Sequence, residues 1–159
     1  MAKAVTPVSV FDVADYFIAN ADPDEGLTNL KLQKLCGYAQ AYYLVLQGRR
    51  LFKESLEAWP HGPVVRELYD FYRSYGKNPL STAIQPGEES RQPFTPEQLF
   101  ILETVNGYYG RFAAWALRNM SHFDFPGEFD NPRRPRISDQ DIKSRFAGHK
   151  IIQKIQAAF

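Results

Sequence analysis

One cysteine and three histidines are the side chains of this sequence with the chemistry of a nucleophile, a general base or a soft metal ligand. Cys36 with His61 or His122 has the composition of a thiolate–imidazole pair, in which the ring takes the thiol proton. Cys36, however, shares an apolar stripe with Leu32, Leu35 and Ala39, and burial there raises a thiol pKa and leaves the group inert. A core cysteine is the expected reading. A zinc site drawn from Cys36, His61, His122 and His149 lacks the paired spacing by which one turn or helix presents two ligands together. No GxGxxG, GxxxxGK[ST], HExxH, CxxC or GxSxG pattern is present, so neither a cofactor nor a metal is expected. Histidines near turns are all that an enzyme reading with His61 or His122 as base would rest on.

Binding chemistry has more to draw on. Lys31, Gln33 and Lys34 precede an apolar seam, and charge on a helix is ordinarily a wet face. Ala58 to Val65 gathers Trp59, His61 and the rigid Gly62-Pro63 step at a helix start, where free backbone amides receive acceptors. Gly62 is the residue expected to fix backbone geometry there. Tyr38, Tyr42, Tyr108 and Tyr109 fall partly off the apolar stripes, which leaves an aromatic partner-binding face and simple boundary packing as equal alternatives. The cluster Arg133-Arg134-Pro135-Arg136 is short, sits among prolines and has no interleaved aromatics, so it reads as a solvated loop, not a phosphate-binding groove element.

These residues belong to a chain of 159, 44% apolar and 14% aromatic, enough for one sizeable core. Nineteen basic against eighteen acidic residues leave a net charge of +1, so no global field draws the chain to nucleic acid or an anionic membrane. A single cysteine cannot form an internal disulfide, the start has no leader pattern, and no apolar run approaches the ~18 residues of a membrane span. A cytoplasmic protein is expected.

Helix signals dominate the chain. Ser9 caps a first helix carrying Val10, Val13, Ala14 and Phe17, before Asp22-Pro23-Asp24. Thr28 caps a second, whose stripe of Leu32, Leu35, Cys36, Ala39, Tyr43 and Leu46 runs to a left-handed stop at Gly48. A short two-stranded β element is expected around residues 49–60, where helical periodicity lapses. A third helix is expected from Pro63, burying Val64, Val65, Leu68, Phe71, Tyr72 and Tyr75 and ending at Gly76. Ser81 to Pro93 reads as an exposed loop. Thr95 and Gln98 form a capping box that opens a fourth helix, which Gly107 and Gly110 break or kink. His122 to Arg136 is too proline-rich to be regular, Ser138 caps a short helix, and Ile151, Ile152, Ile155 and Phe159 mark a last one. The result is a mainly α, single compact domain over residues 1–159, with six to seven helices.

The run Leu27-Thr28-Asn29-Leu30-Lys31-Leu32-Gln33-Lys34-Leu35, then Tyr38-Ala39-Gln40, Tyr43-Leu44, Ala58-Trp59 and Gly62-Pro63-Val64-Val65, resembles the Panacea, or SocA-like, antitoxin domain in order and spacing. The likeness continues through Tyr75-Gly76. Where that family places a threonine-histidine pair and then proline-tryptophan, this chain has Ser121-His122 and Pro126-Gly127. The resemblance implies a phage-associated antitoxin, without enzymatic activity, that neutralises a cognate toxin by direct binding. Its alternative within the family is an adaptor that delivers the toxin or other cargo to a cytosolic protease. Carried onto this chain, the implied toxin-contacting residues are Lys31, Gln33, Lys34, Tyr38, Trp59, His61, Gly62, Pro63 and His122. Many members also carry a DNA-binding domain, for which one domain of this length leaves no room.

Overall fold

The computed structural model describes residues 6–81 and 94–158. Ser9 caps α1 (Val10–Ala19) through a hydrogen bond from the Phe11 amide, and Thr28 caps α2 (Asn29–Gln47) by accepting from the Lys31 amide. Gly48 closes α2 in the left-handed conformation, φ 73°, as glycine at that position allows. Two short strands follow, β1 (Glu57–Trp59) and β2 (Gly62–Val64), then α3 (Arg66–Tyr72) with a 3-10 turn at Arg73–Tyr75. The Thr95 and Gln98 capping box opens α4 (Pro96–Tyr109), and α5 (Ala114–Asp124), α6 (Asp139–Phe146) and α7 (Lys150–Ala158) complete the set. Seven α-helices and one two-stranded antiparallel sheet make a mainly α domain.

The second helix is the axis of the fold. It packs against α1, α3, α4, α5, α6, α7 and β2, and every residue from Leu32 to Leu44 is buried. A helix enclosed on all sides must satisfy its own polar residues internally, because no water reaches them. Gln40 does so by acting as a backbone partner for the segment after the helix. Its Oε1 accepts from the Leu51 and Phe52 amides (2.8 and 3.2 Å) while Nε2 donates to the Phe52 carbonyl (2.8 Å). Gln33 likewise accepts from the Val65 amide at 2.9 Å and donates to Asn29 Oδ1 at 3.0 Å.

Several expectations are corrected. The two-stranded element extends past residue 60, since Gly62–Val64 is the return strand, and the third helix begins at Arg66 instead of Pro63. Gly62, at φ 107°, turns the chain back so that it pairs with Trp59, and Pro63 faces Ala58 in a register position that needs no amide donor. The Ala58 amide donates outward to the Pro135 carbonyl at 2.8 Å, so the arginine-rich loop is docked along the hairpin, not loose in solvent. Phe71 is 53% exposed because α3 is too short to bury more than Leu68 and Tyr72, one turn apart. Gly107 is an ordinary position within α4, and the single break falls at Gly110. His122 is helical, since α5 runs to Asp124 before the irregular segment begins. The expected loop from Ser81 to Pro93 lies, beyond Ser81, outside the described residues, as does Phe159.

Of the two alternatives for the tyrosines, the structure shows packing. Tyr38, Tyr42 and Tyr109 are fully buried, with Tyr38 stacked on Tyr109 at 3.9 Å between ring centroids, and Tyr108 is half-buried beside them. They form the centre of the core with Phe125 and Phe146. Hydroxyls that deep need partners. Tyr42 and Tyr109 share a 2.6 Å hydrogen bond, and Tyr38 donates to Asp124 Oδ2 at 2.6 Å. Burial, and then the Asp124 hydrogen bond, hold the Tyr38 hydroxyl far above its ordinary range. Cys36 is buried in the same core, which pushes its thiol well up and removes it as a nucleophile.

Candidate interaction surface at the hairpin tip

The tip of the β1–β2 hairpin, Pro60 and His61, lies against one face of α5. That face is set by helical spacing: Trp115, Arg118 and His122 recur at i, i+3 and i+7, so all three project toward the tip. The two ring nitrogens of His122 lie 2.8 Å from the Arg118 carbonyl oxygen and 2.9 Å from that of Pro60. With both nitrogens turned to backbone carbonyls, this ring fastens the tip to the helix. Arg118 adds a second fastening, its Nη2 donating to Pro60 O at 3.5 Å and its Nε to His61 Nδ1 at 3.4 Å.

Beneath the tip sits Lys34. The sequence suggests a wet face for Lys34 and Gln33, and the structure buries both completely because α2 is enclosed. Lys34 Nζ donates to the Pro63 carbonyl at 2.9 Å. Burial, with Arg118 as a like-charged neighbour, pushes its pKa down to about 7. The glycine above it is obligatory on two counts. At φ 107° a side chain is strained, and a Cβ on Gly62 would lie 2.6 Å from Ser121 Oγ and 3.2 Å from Lys34 Nζ.

The other sequence-derived residues go to different places. Lys31 is half-buried on the far side of this contact and donates from Nζ to the Gly110 carbonyl at 2.6 Å, tying α2 to the end of α4. Tyr38 is in the core. Trp59, 8% exposed, lies between the guanidinium groups of Arg134 (3.9 Å from the ring centroid) and Arg66 (5.2 Å). Its Nε1 donates to Glu57 Oε1, and Arg66 pairs with the same carboxylate at 2.8 Å. Burial raises the Glu57 pKa, but the Arg66 and Trp59 hydrogen bonds outweigh it and hold the carboxyl below its usual range. Pro63 is buried, and its carbonyl serves Lys34. The structure thus brings Lys34, His61, Gly62, Pro63 and His122 together, with Gln33 beside them through Val65, and leaves Lys31 and Tyr38 apart.

Sequence reasoning missed Trp115, Arg118 and Ser121. The i, i+3, i+7 spacing of Trp115, Arg118 and His122 is the available signal, obscured by placing His122 outside any helix. Trp115 is 55% exposed, with Arg118 over its ring at 4.8 Å and the His61 ring at 5.6 Å. His61 itself is exposed, and its pKa is lowered by partial burial and then by Arg118, Lys34 and His122. Among the described residues, no group of three or more His, Cys, Asp and Glu side chains has the arrangement of a metal site. No helix there is long and apolar enough to cross a membrane. The geometry can hold a partner by an exposed aromatic and a guanidinium.

Compared with known proteins, residues 32–125 match the family model described as "Antitoxin SocA-like, Panacea domain", more than half of the chain. The matched stretch runs from the first turns of α2 to the residue after α5 and contains the whole Lys34, hairpin-tip and α5 contact. No curated protein and no solved structure matches the chain.

Proposed function

Because the chain belongs to the SocA-like, Panacea-domain antitoxin family, we propose that it is an antitoxin that neutralises a partner toxin by direct protein–protein binding, in the cytoplasm and without catalysis of its own. The observation that carries this reading is the family match itself, which spans every element around the hairpin tip. The site supports it in kind. It combines an exposed aromatic, a half-buried arginine and an exposed histidine on a rigid frame, the composition of a binding hot spot. In this reading His61, the edge of Trp59 and part of His122 meet the toxin directly. Gln33, Lys34, Gly62 and Pro63 hold them in place, Tyr38 supports the core behind, and Lys31 supplies a separate, half-exposed contact.

The test is co-expression with the product of the neighbouring open reading frame. Restored growth, together with co-purification of the two proteins, is the expected result. Growth arrest that persists despite a folded antitoxin overturns it. The partner's half-life decides between sequestration and delivery to a protease: a partner that is inhibited yet persists supports sequestration, whereas protease-dependent loss transfers the reading to an adaptor.

A further inference from the structure

Among the described residues, some arginines pair with carboxylates while others, Arg111 and Arg145 included, reach neutral acceptors. Arg50 pairs with Asp139 at 2.9 Å and Arg66 with Glu57 at 2.8 Å, each guanidinium making more than one hydrogen bond to its carboxylate. Among the described residues, the acceptors of Arg118 are neutral: His61 Nδ1 at 3.4 Å, Asn119 Oδ1 at 3.1 Å and Pro60 O at 3.5 Å. Two of these three are long, which leaves most of the donating capacity of a planar five-donor group unspent. The ionisable groups beside it among the described residues are of the same sign or able to acquire it: Lys34 from α2, His61 from the hairpin and His122 from α5. The carboxylates of the adjoining elements are committed elsewhere. Glu57 serves Arg66 and Trp59, Asp124 receives the Tyr38 hydroxyl, and Glu128 accepts from Asn131.

A folded domain pays for gathering like charges, and an arginine left without an acid beside an exposed tryptophan is complementary to an acid it does not contain. Building on the antitoxin reading, we propose that the patch of His61, Trp115, Arg118 and Asn119 docks an acidic segment of the toxin protein, one carboxylate taking the Arg118 guanidinium and an adjacent apolar group covering Trp115. A protein acid fits better than a phosphate backbone, for the net charge is +1 and one arginine makes no phosphate-spaced track. Arginine and carboxylate match as two planar groups joined by parallel hydrogen bonds.

The experiment titrates the purified full-length antitoxin with the purified product of the neighbouring reading frame, by calorimetry at low and high salt, for wild type, Arg118→Ala, Arg118→Glu and Trp115→Ala. Arg118 and Trp115 lie on the surface, and matching thermal melts establish that each variant is folded. Expected are about a tenfold or greater loss of affinity for Arg118→Ala and Trp115→Ala, a larger loss for Arg118→Glu, and weaker wild-type binding at high salt. A toxin Asp or Glu changed to Arg that restores binding to Arg118→Glu supports the proposal most directly. Wild-type binding with all three variants equally tight overturns the docking surface while the antitoxin reading stands. A wild type that binds no toxin overturns both, and an Arg118-dependent affinity for single-stranded DNA in place of the protein overturns the proposal in favour of nucleic acid.

Discussion

Two polar clusters flank α5, and each contains a histidine. At the C-terminal end of that helix, Asp124 accepts from Tyr38 at 2.6 Å and lies 3.7 Å from His149, while Tyr42 and Tyr109 satisfy one another. An acid, a base and paired hydroxyls close that cluster upon itself. At the hairpin tip, Lys34, Arg118, His61 and His122 meet with backbone carbonyls, the His61 ring and the Asn119 amide oxygen as acceptors, and no acid among them. A cluster whose charges and hydrogen bonds cancel has no need of anything from outside, whereas a one-signed cluster beside an exposed tryptophan is incomplete alone. On the proposed reading the first serves stability and the second a partner, and variants in each should separate the two properties.

The largest effect is expected at the joint of the cationic cluster. Gly62→Ala should cost about 2–4 kcal/mol, because it combines a strained φ with a Cβ driven into Ser121 and Lys34. Gly48→Ala, at φ 73° with open space around it, should cost only about 1 kcal/mol. Chemical denaturation of the two variants checks this, and equal losses would show that the hairpin packing is unimportant.

Lys34 gives a pH signature. Its folded pKa of about 7 lies below the ordinary 10.5, so between those values the unfolded chain holds a proton that the folded chain lacks. The penalty is complete below pH 7 and fades as pH rises. Wild-type stability should therefore climb between pH 7 and 9, by up to about 1.4 kcal/mol per unit, and Lys34→Met should remove that climb. Parallel pH profiles for the two proteins would dissolve the contrast between the clusters.

Smaller effects sharpen it. Tyr38→Phe deletes the hydrogen bond to Asp124 and should cost about 1–2 kcal/mol in a melt, with toxin affinity unchanged. Arg118→Ala should do the reverse, moving stability by no more than about 0.5 kcal/mol while weakening binding. A Tyr38→Phe variant that loses binding at full stability would assign the aromatic cluster to the interface after all.

The legibility of these regions depends on the range of the interactions that build them. The expectation that Gly62 fixes the backbone of this turn rests on turn chemistry alone, and its φ of 107° agrees. Reading Lys34 as part of a wet face misses the burial. Nothing within one turn of Lys34 announces that β2 and α5 will cover it, because the covering residues, Pro63 and Ser121, come from elements distant in the chain. The same holds for Tyr38 and Tyr109, which look peripheral when each helix is given one apolar stripe, an assumption that fails for a helix packed on every side.

By itself the sequence determined what operates over four residues or fewer. Ser9, Thr28, Thr95 and Ser138 each cap the helix they precede and Gly48 ends α2, since caps and stops are read locally. The family is legible too, but from the long stretch of residues 32–125 and not from any one turn. Only the tertiary structure decided that Gly62–Val64 turns back as a strand, that a lysine lies in the interior, and that Arg118 meets His61 across 57 positions of chain. Those outcomes depend on which surfaces exclude water from which others, a property of the assembled core that no single segment carries.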